Sequence, residues 1–177
     1  MLRLKLHAEP VAAQITVRTA RPEDAEAVAF MARALSESDG GRRSQFDAAT
    51  FRRDGFGPQP AFRASIAEVD GCPAGYAVTY PGYDTDTATR GVYLADLFVL
   101  LEFRRRGVGR ALMAEAAAAS RAAGGRWMFW SVLRRNRGGR RFYRTMASEL
   151  RDIIVCAAFG RSFDRLADRS GSAPPRP

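Results

Sequence analysis

The stretch 92–110, VYLADLFVLLEFRRRGVGR, constrains the fold more than any other part of this chain. Residues 92–101 are apolar, β-branched or aromatic, interrupted only by Asp96. The run then turns basic and glycine-rich at Arg104, Arg105, Arg106, Gly107, Val108, Gly109 and Arg110, and continues Ala- and Leu-rich out to Ala123. This order predicts a strand, an Arg/Gly loop and a helix. Backbone N–H groups at a helix N-terminus lack intrahelical partners and attract anionic oxygens. Glycines at 107 and 109 let the main chain approach a ligand that a Cβ would hold away. The stretch is in type a cradle for a pyrophosphate.

Two common phosphate loops do not fit it. A Walker loop needs Gly-Lys-Ser/Thr, and no such triplet follows. A dinucleotide fingerprint needs a third glycine at 112, where Leu112 stands. What remains is Arg104-x-x-Gly107-x-Gly109 behind a strand that ends Asp96, Leu97, Phe98, Val99. Other chemistries are excluded by scarcity. His7 is the only histidine, which removes triads that need an imidazole base. Cys72 and Cys156 show no metal-ligand spacing, so neither a zinc site nor a disulfide framework is expected.

The formal charge of +9 invites a nucleic-acid reading. The arginines are spread along the chain, however, and are densest at 104–110 and 134–144, where an anionic cofactor would use them. Nucleic acid is therefore not the expected ligand. At 177 residues the chain is long enough to bury one core. No apolar run reaches the roughly 18–20 residues that span a bilayer, and 1–14 is too polar for a signal peptide. A cytoplasmic protein with no membrane association is expected.

In chain order, residues 1–13 read as a flexible leader and 14–168 as a single domain. A tail at 169–177 is too poor in apolar groups to pack. Residues 15–18 read as a strand. A helix follows to about Ser36, with Thr19 as its N-cap and acidic residues in its first turn. A short helix is expected at 47–53. Strands are expected at 62–69 and 73–80, joined by a hairpin turn at Asp70-Gly71. Residues 81–90 read as a loop, and 92–101 as the third strand of a meander. Gly124-Gly125 ends the cradle helix. Residues 127–133 read as a strand, 134–139 as a loop, 140–146 as a helix and 153–159 as a late strand.

A second motif follows the cradle by about thirty residues: Asn136-x-x-Gly139-x-x-Phe142-Tyr143. Read alone, Asn136 is a helix N-cap and Tyr143 a core aromatic. Together, the two motifs resemble the signatures of the GNAT superfamily of N-acetyltransferases. From about Phe62 to Arg165 the likeness is strongest to its diamine (spermidine/spermine) acetyltransferase-like branch. The residues that carry it are Ala67-Glu68-Val69, Gly75-Tyr76-Ala77, Tyr83-Asp84, Tyr93-Leu94 and Asp96 to Val99. Two departures stand out. Gly139 occupies the usual alanine position, and Ala95 stands where the diamine enzymes carry a glutamate linked to the substrate amine.

The resemblance implies a GNAT fold, an α/β (α+β) domain with a mixed central sheet of about six to seven strands flanked by helices. Its acetyl-CoA cleft lies where two strands splay. The implied reaction is acetyl transfer from acetyl-CoA to a primary amine of a small molecule, an amino acid derivative or something polyamine-like, by direct attack in a ternary complex. The implied cofactor contacts are Leu97, Phe98, Val99, Arg104, Arg105, Arg106, Gly107, Val108, Gly109, Arg110, Asn136 and Tyr143. Tyr143 would protonate the departing thiolate, and Asp96 or Asp84 would act as base, unless Asp96 is a structural anchor. Tyr83, Asp84 and Tyr93 would face the acceptor. No metal is required. A homodimer is expected, since members of this branch pair through late strands. Two rival readings stay open: a catalytically weak CoA-binding domain that senses or binds partners, and a basic nucleic-acid-binding protein.

Overall fold

A computed structural model describes residues 13–41 and 44–169. All but residue 13 of the expected leader, and all but residue 169 of the expected tail, lie outside the described residues. The chain forms two compact units, one up to Asn136 and one from Arg137 onward.

The larger unit is a five-stranded sheet in the order β1-β2-β3-β4-β5. Its strands are β1 (Ile15–Thr19), β2 (Arg63–Val69), β3 (Cys72–Asp84), β4 (Thr89–Val99) and β5 (Gly125–Trp130). The first four pair antiparallel, and β5 joins β4 in parallel. Helices α1 (Ala25–Ser38) and α2 (Ala48–Phe56) cover one face. Their Val28, Met31, Ala32 and Phe51 bury against Ile66, Tyr76, Val78 and Phe98 of the sheet. Helix α3 (Val108–Ala122) is the crossover from β4 to β5 and covers the other face. There Arg63 and Ser65 both donate to the Glu115 carboxylate, at 2.6 and 2.5 Å.

Five strands stand against the expected six to seven. The predicted late strand at 153–159 carries no strand and no ladder in the described residues. A strand exists only where another backbone satisfies its N–H and C=O groups, and a β-prone composition cannot supply that partner. The predicted loop at 81–90 is mostly strand, since β3 runs to Asp84 and β4 starts at Thr89. Thr19 does not cap the first helix. Asp24 stands at the N-cap position of α1 without a side-chain bond to that helix; its carboxylate accepts instead from the Arg21 N–H at 2.7 Å, across a 3-10 turn (Pro22–Asp24) that leads into α1. Asp24 is fixed in turn by Arg18, whose guanidinium donates to it at 2.7 and 2.8 Å. The hairpin turn at Asp70-Gly71 is as expected, with φ of 50° and 78°. Gly124, φ 82°, closes α3.

The smaller unit holds α4 (Arg137–Tyr143) and α5 (Arg161–Asp168). Within it, Arg140 clamps Glu149 at 2.9 and 2.8 Å, and this holds the Glu149 carboxyl below its ordinary range.

Candidate functional site

The ladder between β4 and β5 starts at Arg90–Gly125 and ends at Leu94–Trp130. β4 continues to Val99, paired only with β3 in the described register. A gap therefore opens along β4 at residues 96–99. The orientation of the backbone there follows from one hydrogen bond. Leu100 N–H donates to Ala74 O of β3 at 2.9 Å. Because successive peptide groups of a strand point in opposite directions, Leu97 and Val99 turn their N–H and C=O away from β3, into the gap.

Behind the gap stands the Arg/Gly turn. Gly107 precedes α3 with φ 93°, a left-handed conformation that a side chain would strain. A Cβ there would meet nothing nearer than Ile15 Cδ1 at 3.6 Å, so the backbone and not crowding selects glycine. Arg105 is also left-handed, with φ 65°. Val108 is buried and pins the first turn of α3. The first N–H groups of this fifteen-residue helix are thus exposed to an anion together with the dipole. Arg104 has a different task from its neighbours. Its Nε donates to Val99 O at 2.9 Å, and its guanidinium lies over the Phe98 ring, 5.5 Å from the centroid. It ties the turn to the end of β4. Arg106 lies over Phe103, and Arg105 and Arg110 are exposed. This loop suits a pyrophosphate: its cations are exposed and the N-cap of α3 is a glycine with no side-chain capping bond.

Asp96 sits at the start of the gap on the α1/α2 face, paired with Val78. Its Oδ2 accepts from the buried Tyr76 hydroxyl at 2.8 Å. Burial pushes its carboxyl above the ordinary range; the Tyr76 hydrogen bond opposes this, and the nearby Asp39 carboxylate adds to it. Burial first, and then the Asp96 carboxylate, push the Tyr76 phenol well above its ordinary range. Next to Asp96 the register jumps from Val78↔Asp96 to Thr79↔Leu94, which leaves Ala95 as the extra residue of a bulge.

Beyond the bulge the α1/α2 face carries two cross-strand rows: Tyr80, Tyr93 and Phe129, then Gly82, Gly91 and Trp127. Tyr80 stacks on Tyr93, centroids 5.1 Å apart, and the Tyr93 hydroxyl meets Ser131 Oγ at 3.0 Å. The Trp127 indole lies flat over the two glycines. A Cβ at Gly82 would fall 2.5 Å from Trp127 Cη2, and one at Gly91 2.5 Å from Cε3. Local periodicity does not reveal these rows, because their members come from three strands and depend on the bulge for their register.

Of the residues expected to face the acceptor, Tyr93 and Asp84 share the face of Asp96 by register, and Tyr83 does not. Tyr83 pairs with Arg90 three positions past Tyr80 and so points to the opposite face. Asp84 is engaged in the hairpin turn, where it accepts from Asp86 N–H and Thr87 Oγ1, and these bonds hold its carboxyl low. Asn136 follows a turn closed by its N–H to Leu133 O at 2.8 Å and directly precedes α4. Within the smaller unit, Tyr143 ends α4 and packs its ring on Phe142. A cleft of about 460 Å³ between α1 and α2, lined among others by Phe30, Arg33 and Arg52, contains none of these residues. Among the described residues, no group of three or more His, Cys, Asp or Glu could hold a metal ion, and no helix is long and apolar enough to cross a membrane.

The thialysine N-epsilon-acetyltransferase of Sus scrofa is 28% identical over 145 residues, which cover 77% of this chain and 85% of that protein. Two solved structures share the fold. An integron cassette protein from the mobile metagenome of V. cholerae has a TM-score of 0.73 at 17% identity, over 86% of this chain and 97% of its own. An aminoglycoside N-acetyltransferase in complex with CoA has a TM-score of 0.69 at 19% identity, over 85% and 98%. The family model described as the acetyltransferase (GNAT) family, whose members use acetyl-CoA, matches residues 26–147. With its strand gap, its Arg/Gly turn at a helix N-terminus and that match, this chain belongs to the GNAT family and is an N-acetyltransferase.

Proposed function

We propose that the chain moves the acetyl group of acetyl-CoA directly to a primary amine of a small molecule in a ternary complex. The observation that carries this is the gap along β4. Leu97 and Val99 present backbone polar groups to it, and the Arg/Gly turn lies immediately behind. Bound there, acetyl-CoA supplies an activated thioester. The first N–H groups of α3, with Arg105, Arg106 and Arg110, hold its phosphates. The Val99 N–H is aimed to stabilise the carbonyl oxygen as charge develops on it.

A lysine-like amine has a pKa near 10.4, so freeing its lone pair at pH 7 costs about 4–5 kcal/mol. Asp96 is the proposed acceptor of that proton. Its raised pKa brings it nearer the working pH, which favours a general base. The family resemblance gives Tyr143 the role of acid toward the departing thiolate and Asn136 a contact to CoA. Thialysine, the substrate named for the porcine relative, is a small primary amine of the proposed kind.

We also place the protein in the cytoplasm as a homodimer. Both cysteines are free thiols, which suits a reducing compartment. Leu150, Ile153, Ile154, Val155 and Phe159 are all exposed, with Ile154 at 85%. A continuous apolar run of this kind is an association surface. Light scattering that gives a monomer at tens of micromolar overturns the dimer.

The test of function has two parts. Acetyl-CoA should raise the melting temperature by mass action, and Gly109→Glu should abolish the rise by steric block and charge repulsion. A panel of primary amines should then release CoA thiol. No thermal shift at millimolar acetyl-CoA refutes the cofactor site, and no thiol release with any amine refutes the transferase reading.

A further inference from the structure

We infer that the row Tyr80–Tyr93–Phe129, backed by Trp127, is the floor of an acceptor site for an arylalkylammonium, a singly charged primary amine on a short arm from a flat apolar body. The surface is built, and it faces solvent. Phe129 is 46% exposed and Tyr80 41%, although aromatic rings of this size contribute most when covered. Three rings aligned across three strands make a platform that accepts another flat ring by stacking.

Charge selects the occupant. Asp96 is the next position along the same face, one side-chain repeat from Tyr80, about 7 Å away. Asp39, at the end of α1, adds its negative field at Asp96. A cation is therefore favoured at one end of the platform and an apolar ring on it. A gap of about 7 Å is spanned by an arm of two or three carbons. The arm brings the amine to the start of the β4 gap, beside Leu97 and Val99. A second ammonium would have to give up water over the Tyr80–Tyr93–Phe129 row, which itself holds no carboxylate, so spermidine fits less well than phenethylamine or tyramine.

The turnover arm of this inference rests on the acetyl-transfer reading; a binding arm does not. In the first arm, kcat/KM is compared for phenethylamine, butylamine and spermidine with acetyl-CoA saturating. Phenethylamine should lead each of the others by about tenfold or more, the value of one good aromatic contact. Phe129→Ala should remove about tenfold from phenethylamine and little from butylamine. Phe129→Leu, which keeps the apolar volume, should lose most of the same discrimination and guards against a fold defect in the alanine variant. In the second arm, phenethylamine is titrated without acetyl-CoA while tryptophan fluorescence is read. Saturable quenching is expected in the wild type, weakened in Phe129→Ala and absent in Trp127→Phe. If no amine is acetylated but this quenching pattern appears, the transferase reading fails and the site stands. If butylamine or spermidine matches phenethylamine in turnover, or if quenching is unaffected by Phe129→Ala, the inference is overturned. It is equally overturned if Phe129→Ala changes only the oligomeric state.

Discussion

Gly91→Ala tests the packing on which the aromatic face depends. The added Cβ would lie 2.5 Å from Trp127 Cε3, where carbon atoms rest at about 3.5–4.0 Å. Two further indole carbons, Cδ2 and Cε2, lie nearer still, so the indole must move by at least about 1–1.5 Å. Overpacking of this kind costs about 1–3 kcal/mol. Against that, alanine reduces the freedom of the unfolded chain by about 0.4–1 kcal/mol. A net loss of about 1–2 kcal/mol follows. For a chain of this size each kcal/mol moves Tm by about 2–4 °C, so a fall of about 2–8 °C is expected.

The assay is thermal unfolding of the wild type and variant, with near-UV circular dichroism to follow the indole. A double-mutant cycle isolates the cause. In a Trp127→Ala background the cost of Gly91→Ala should vanish, which gives a coupling of about 1–2 kcal/mol. An unchanged Tm and an unchanged near-UV spectrum would refute the argument. So would an equal loss in both backgrounds, because the glycine would then be required for backbone reasons unrelated to Trp127.

Asp96→Asn should raise Tm at pH 7 while lowering kcat by about 10²–10⁴-fold, the usual share of a general base. A buried carboxyl with a raised pKa holds its proton more tightly in the folded state, so wild-type stability declines as pH rises from about 4 through the folded pKa. The Tm advantage of the variant should grow across that window and then level off, and a pH-independent difference would count against burial as the cause. Asp24 has the opposite sign. The Arg18 hydrogen bonds hold its carboxyl low, so its contribution is present above about pH 4 and is lost as pH falls below that. Asp24→Asn should cost about 1.5–3 kcal/mol of unfolding free energy, extrapolated from denaturant titration, at pH 7 and much less at pH 2–3. Tyr143→Phe should keep acetyl-CoA affinity and lower kcat by about 10²–10⁴-fold, measured as thiol release against thermal shift; unchanged turnover would show that the thiolate leaves without this hydroxyl.

The strand-loop-helix core of the site is legible in sequence because each part of it is local. An apolar run, a basic glycine loop and an alanine-rich helix each announce themselves within ten residues. The segment 81–90 misleads for the opposite reason. Pro81, Gly82, Asp84, Asp86 and Gly91 are turn-forming residues by propensity. In the folded chain two of those positions, Gly82 and Gly91, are the floor under a tryptophan that arrives from β5, some thirty-six residues after Gly91. Glycine there records a close approach and not a bend, and only the partner distinguishes the two.

The segment 153–159 shows the converse failure. Its composition is that of a strand, and within one chain it has no ladder in the described residues. Alternation predicts which face a strand would bury; it does not provide the neighbour that makes it a strand. The bulge at Ala95 shows how much such a neighbour decides. Without the extra residue, Tyr93 would pair with Pro81 and turn to the α3 face, while Asp96 stayed on the α1/α2 face. With it, one carboxylate and three aromatic rings stand on a single face. Asp96, Tyr80, Tyr93 and Phe129 can thus serve one amine only because β4 carries one residue more than β3 opposite Val78 and Thr79.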